Sequence, residues 1–303
     1  MTTEDEMPQL PPTDHSPAAP AVGWSFLRSG RWFGYFTMLI IFSVACVLLG
    51  NWQFERRAEA RAEIERLDTN YGSEAAPLAE ELPEPSSFDS DRQKWRTVWV
   101  SGEYEGDPFL ARNRPGPGGV GSDLIQAFRT DDGEVFFVDR GWVNADGGAA
   151  ERGEVKLADL PAPPEGPVRV EARLRASEPE IAGRSSVGIT VASIELPELA
   201  RLTGTEADAY TGAYGMLVSE DPAGEHGVLP PEPERDEGPH LSYALQWYVF
   251  IIIASIGVII AARREYRSLN ADSGLVQAQD RRAAERKKRR GPSDADIEDA
   301  LLG

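Results

Sequence analysis

Cysteine is almost missing from this sequence, with Cys46 the single example. One thiol excludes an intramolecular disulfide framework, a thiolate zinc site within one chain, a Cys-x-x-Cys redox pair and a Cys-x-x-Cys-His haem attachment. Histidine is nearly as scarce: His15, His226 and His240 leave too little material for a histidine metal cage. Positive charge is the third shortage. The 303 residues carry 31 basic against 50 acidic groups, a formal net charge of -19, and only 4 of the basic residues are lysine. A chain this acidic does not have nucleic acid as its main partner, because phosphates are bound by neutralising them with Lys and Arg. The motifs of nucleophilic catalysis are absent too. There is no Gly-x-Ser-x-Gly turn, and neither His226, in a proline-rich stretch, nor His240, beside an apolar run, has a recognisable nucleophile near it. The expectation is a protein that is not an enzyme.

What the sequence does have is two long runs without charge, residues 32–54 and 238–262. About 20 apolar residues at 1.5 Å each cross a hydrocarbon core of about 30 Å, so both are read as transmembrane helices. The first is long and has no small-x-small cleavage site behind it, which predicts an uncleaved anchor. Orientation follows from Lys and Arg near the helix ends. Arg263, Arg264 and Arg267 follow the second run, then a segment with seven basic residues in the ten from Arg281 to Arg290. This places the C-terminus in the cytoplasm, the segment lying on anionic cytoplasmic lipid. Two spans return the N-terminus to the same side, with the large domain outside. Arg56, Arg57, Arg61 and Arg66 oppose that orientation. They alternate with Glu55, Glu59, Glu63 and Glu65, as a solvated helical extension would.

The expected layout is a cytoplasmic disordered tail over 1–31, transmembrane helices over 32–54 and 240–262, an extracytoplasmic domain over 55–239, and a cytoplasmic charged tail over 263–303. The outer segment carries 19 basic and 38 acidic residues, so it accounts for the whole net charge. It opens as a helix to about residue 68 and passes through a Pro/Ser/Glu-rich linker over 72–90. Strands are expected over 95–101, 108–112, 123–129, 134–139, 168–175, 188–194 and 214–218, with a short helix over 196–202. Val168, Val170, Ala172 and Leu174 alternate with charged residues, the period of a half-buried strand. A glycine-rich segment over 112–121 lacks a phosphate-loop ending and is read as a broad connection between strands. Residues 144–167 read as a Gly/Pro-rich loop. Short strands with close turns and no long helix between them favour a mainly antiparallel, open barrel-like β domain with short helices. The fold class is therefore a membrane α+β protein.

Five ordered blocks resemble the surfeit-locus (Shy-like) family of cytochrome c oxidase assembly factors. They are Gly50-Asn-Trp-Gln-Phe-Glu-Arg56, Trp99-Val-Ser-Gly-Glu-Tyr104, Arg112-Asn-Arg114, Val138-Asp-Arg-Gly-Trp-Val143 and Gly238-Pro-His-Leu-Ser-Tyr-Ala-Leu-Gln-Trp-Tyr248. The resemblance implies a bacterial plasma-membrane assembly factor for a haem-copper (aa3-type) oxidase, one that helps subunit I mature around insertion of haem a. Its partners would be subunit I, other assembly factors and the bilayer. The alternative is an anchored extracytoplasmic binding or scaffold domain for another envelope complex.

An imidazole can ligate haem iron. On a helix, Tyr243, Ala244 and Trp247 share the face of His240, and Trp52 and Gln53 end the first helix at the same depth. The candidate haem a site is therefore His240, Trp52, Gln53, Tyr243 and Trp247. Met38 lies about 20 Å deeper at helical rise and cannot be the opposite ligand within one chain. Candidate partner-binding residues are Arg112, Arg114, Arg140 and Trp142; a second reading of the last two is a strand kink at Gly141 over which Trp142 packs.

Overall fold

The computed structural model describes residues 23–290. Most of the expected N-terminal tail and the last part of the charged C-terminal tail lie outside the described residues. In chain order the elements are α1 (Gly30–Asn70), β1 (Ala76–Pro77), α2 (Leu78–Glu81), β2 (Thr97–Gly116), β3 (Gly119–Thr130), β4 (Val135–Val143), α3 (Gly147–Glu151), β5 (Val168–Ala176), β6 (Thr190–Val191), α4 (Leu196–Thr203), β7 (Ala213–Asp221), α5 (His240–Leu269) and α6 (Gly274–Arg290). The chain divides into a helical unit, Met1–Arg56 with Pro239–Gly303, and a β-rich unit, Arg57–Gly238.

In the helical unit, α1 and α5 contain the two charge-free runs and are long and apolar enough to cross a membrane. Only 11% and 6% of their most apolar stretches are buried within the protein. A core helix of a soluble protein would bury most of that surface, so these helices need an apolar surrounding that the chain does not supply. Polar ties join them near one end. Glu265 accepts from Trp32 Nε1 at 2.9 Å and forms an ion pair with Arg31, while Trp24 stacks on Tyr266 with ring centroids 4.3 Å apart. Asn270 stops α5 by turning its own side-chain amide onto the Tyr266 carbonyl, 2.8 Å away.

The β-rich unit is a seven-stranded sheet whose main pairs are antiparallel, except that β4 and β7 run parallel. Its pairings run β2–β3–β4–β7–β5 and return to β2, so the path closes on itself. The long β2 makes this possible. Its first part pairs with β5 from Thr97 to Gly102, and from Gly102 onward it pairs with β3. This is the expected architecture: two apolar helices flanking a mainly antiparallel, open barrel-like sheet with short helices.

Burial explains which strands alternate. In β5, Val168, Val170, Ala172 and Leu174 face the core and the residues between them face outward. In β4, by contrast, Phe136 and Val138 enter one core with Val98, Val170 and Leu174, while Val135 and Phe137 enter another with Ile125, Leu196 and Leu199. A strand covered on both faces has no reason to alternate.

Four local expectations change. The strands expected over 95–101 and 108–112 are one strand, because the Gly106-Asp107-Pro108 punctuation falls at a register shift between Glu105 and Phe109 rather than at a turn. The glycine-rich segment is a tight hairpin, paired as far as Gly116 and Gly119, and not a broad connection. The expected linker over 72–90 packs: Leu78 and Leu82 are buried in the main core, each worth roughly 1.5–3 kcal/mol of transfer free energy. The loop over 144–167 contains α3, which starts where Asp146 Oδ1 accepts the Ala149 amide at 2.8 Å.

Candidate functional site

His240 is the first residue of α5, and its Nδ1 lies 2.9 Å from Gln53 Oε1. Since an amide oxygen only accepts, Nδ1 is the donor in this contact. The other expected neighbours do not close round the ring. Trp52 and Tyr243 are half exposed, and Trp247 packs edge-on against Phe250 at 5.7 Å. Two residues that the sequence argument did not single out complete this end of the unit. Tyr248 donates to Asn51 Oδ1 at 3.0 Å and lies against Gly50, where an added Cβ would come within 2.9 Å of the tyrosine ring. The glycine therefore sets how closely α1 and α5 approach here.

The four candidate partner-binding residues fall into different environments. Arg112 pairs with Glu151, and Arg114 bridges Asp123 at 3.1 Å and Glu178 at 2.6 Å. Arg140 is fully buried. Its guanidinium lies 3.5 Å from Glu220, donates to the carbonyls of Pro161, Ala162 and Glu225, and sits 4.8 Å from the Tyr104 ring. Tyr104 donates to the other oxygen of Glu220 at 2.8 Å. Burial first, and then the Glu220 charge, raise the Tyr104 phenol above its usual range. Arg140 thus presents nothing to a partner and instead pins two connections to the sheet.

Trp142 is buried as well, and it accounts for the glycines of the hairpin. A Cβ at Gly116, Gly118 or Gly121 would come within 2.3, 2.9 or 2.7 Å of its ring. Its Nε1 donates to the Arg114 carbonyl at 3.0 Å. Gly141, with φ of 97°, lets the strand approach Gly227, and Trp142 exchanges backbone hydrogen bonds with Val228 at 2.9 and 2.7 Å. The kink over which Trp142 packs is therefore present.

Between this corner and β7 lies a cavity of about 330 Å³. Asp139 and Asp123 stand in its wall, and burial pushes their carboxyls up, to about 7 and about 6. For Asp139 the neighbouring Asp123 charge adds to the effect; for Asp123 the Arg114 guanidinium opposes it. Among the described residues no group of three or more His, Cys, Asp or Glu is placed to hold a metal ion.

A model of the SURF1 family matches residues 40–252, from within α1 to within α5. The chain belongs to the SURF1 family. It is also 33% identical over 250 residues to uncharacterized SURF1-like proteins of Mycobacterium bovis and Mycobacterium tuberculosis, an alignment covering 80% of this chain and 88% of theirs. SURF1 proteins are in general cytochrome oxidase assembly factors. In this SURF1 protein the matched span includes the His240–Gln53 contact, the Arg140–Glu220 network and the cavity. The acidic wall of that cavity was missed from sequence because its residues come from separate strands. Only the charged pair Asp139-Arg140 within the mostly apolar β4 could have signalled it.

Proposed function

We propose that this protein is a membrane-anchored assembly factor for a haem-copper, aa3-type cytochrome c oxidase, acting on subunit I around insertion of haem a, and that it is not itself an enzyme. The family match from within α1, through the whole domain, to within α5 carries this reading. The proposed setting is a bacterial plasma membrane with both termini in the cytoplasm and the domain outside, together with subunit I and other assembly factors.

The residues at the start of α5 fit a haem in one respect: Gln53 engages Nδ1 of His240, so Nε2 is the ring nitrogen that would serve the iron. Haem would bring its own redox chemistry. The chain's part would be to supply that nitrogen, with the half-exposed Trp52 and Tyr243 able to lie against a planar apolar group.

Deleting the gene tests the assembly reading. Loss of the haem a absorbance band from membranes is expected, and an intact oxidase would favour the scaffold reading for another envelope complex. The haem reading has its own test, comparison of haem co-purified in mild detergent with wild type and with His240→Ala. Equal haem in both preparations would remove His240.

A further inference from the structure

The cavity in the β-rich unit is lined by three polar groups with bonding capacity to spare. Asp139 is only 7% exposed; its Oδ1 accepts the Gly141 amide at 3.0 Å, and its Oδ2 has no hydrogen-bond partner among the described residues. Tyr214 is 4% exposed, and its hydroxyl likewise has none. Among the described residues Arg175 has no carboxylate within ion-pair distance; its guanidinium lies 4.4 Å from the Trp95 ring and touches Met216 Sδ at 4.0 Å. All three line the cavity, where a ligand can take the contacts that water would otherwise make. Arg114, in the same wall, is ion-paired with both Asp123 and Glu178, although its buried Nε has no well-formed hydrogen bond among the described residues.

Register sets the spacing of Asp139, Tyr214 and Arg175. Asp139 on β4 is opposite Met216 on β7, and Arg175 on β5 is opposite Tyr214, two residues along the same face of β7. The carboxylate and the guanidinium thus rise from strands two spacings apart, roughly 10 Å at the backbone, and the arginine reaches back as far as Met216. An acceptor and a strong donor of opposite charge flank a thioether and a phenol. The outer wall is the segment Val228–Pro231. It pairs with Trp142 through Val228, but Pro230 and Pro231 have no N–H with which to extend the pairing. The volume equals that of about ten waters and lies at the small end of the range for ligand sites.

We propose that this cavity binds a compact zwitterion of the α-amino-acid class, with its ammonium on Asp139, its carboxylate between Arg175 and the Tyr214 hydroxyl, and its side chain against Met216 and Trp142. A simple cation would meet Arg175, and a simple anion would meet Asp139; only a ligand bearing both charges satisfies both walls. The proposal is independent of the oxidase-assembly reading and stands if that reading fails.

The test uses the full chain in mild detergent, with L-leucine, L-leucine methyl ester and N-acetyl-L-leucine compared by calorimetry and saturation-transfer NMR. L-leucine should bind, and each blocked derivative should bind at least about tenfold more weakly, since each loses one charge-assisted contact. Asp139→Asn should abolish the preference over the N-acetyl form, and Arg175→Gln the preference over the ester. Equal binding of the three compounds, or no binding of L-leucine at millimolar concentration to folded protein, would overturn the proposal. The ligand series on the wild-type chain decides the matter even if a variant does not fold.

Discussion

Arg140 and Asp139 are neighbours in β4 with opposite consequences for stability. Arg140 is paired with Glu220 in a fully desolvated network. Removing one partner of a buried pair typically costs about 3–5 kcal/mol, because the other charge is left without compensation. Arg140→Leu should therefore destabilise the domain by that amount in urea unfolding followed by tryptophan fluorescence. Arg140→Lys should not restore it, since an ammonium cannot fork to three carbonyls. A loss below about 1 kcal/mol for both variants would mean that the network is dispensable. Asp139 is held in a site that disfavours its charge. With the carboxyl pushed up to about 7, the folded state binds more protons than the unfolded state, whose carboxyl titrates near 3.9. Stability from this group is complete below about pH 4 and is lost as pH rises through about 7. Asp139→Asn keeps an acceptor for the Gly141 amide and should flatten that fall, making the variant more stable than wild type at pH 8. Thermal scans across pH would reveal it; parallel profiles for the two proteins would remove Asp139 as the cause.

At the scale of elements, the β2–β3 hairpin and the Trp142 corner act as one piece. Three glycines leave room for one indole, and the indole's N–H returns to the hairpin backbone. A methyl group at Gly121 would come within 2.4 Å of the Val143 carbonyl oxygen as well as meeting the ring. Backbone cannot swing aside as a side chain can, so Gly121→Ala should cost about 1–3 kcal/mol. Gly119→Ala, at a turn position with open space but a φ of 109°, provides a comparison in which only backbone strain is added. A melting temperature for Gly121→Ala equal to that of wild type would show that the corner is looser than these distances imply. The glycine-rich run was visible in the sequence as a departure from ordinary strand composition. Its purpose was not, because the tryptophan it accommodates lies more than twenty residues away. The strand breaks around Gly106 and Pro108 misled for the same reason: a bulge and a turn use the same residues.

At the scale of the whole molecule, two apolar helices that bury little of themselves flank an acidic domain. With Lys and Arg concentrated behind α5, the positive-inside bias favours the proposed orientation, in which both termini would be in the cytoplasm. Reporter fusions that are active only outside the cytoplasm should therefore give signal when joined near residue 235 and none when joined at residue 303. The reverse pattern would invert the orientation and put the domain, and with it the proposed site of oxidase assembly, on the cytoplasmic side.

Hydrophobic run length and charge sign are properties of the chain itself, and they were enough to read two apolar helices and an acidic segment between them; the family resemblance rested on five motif blocks. The alternation of β5 was equally legible, since one of its faces meets water. What only the tertiary structure decided is which polar groups are spent and which are left over. Arg114, Arg140 and Arg175 look alike in sequence, yet one bridges two carboxylates, one is sealed in the interior and one stands in a cavity wall against a thioether and an indole. The difference lies in strand register and desolvation, which join residues from distant parts of the chain and have no local signature.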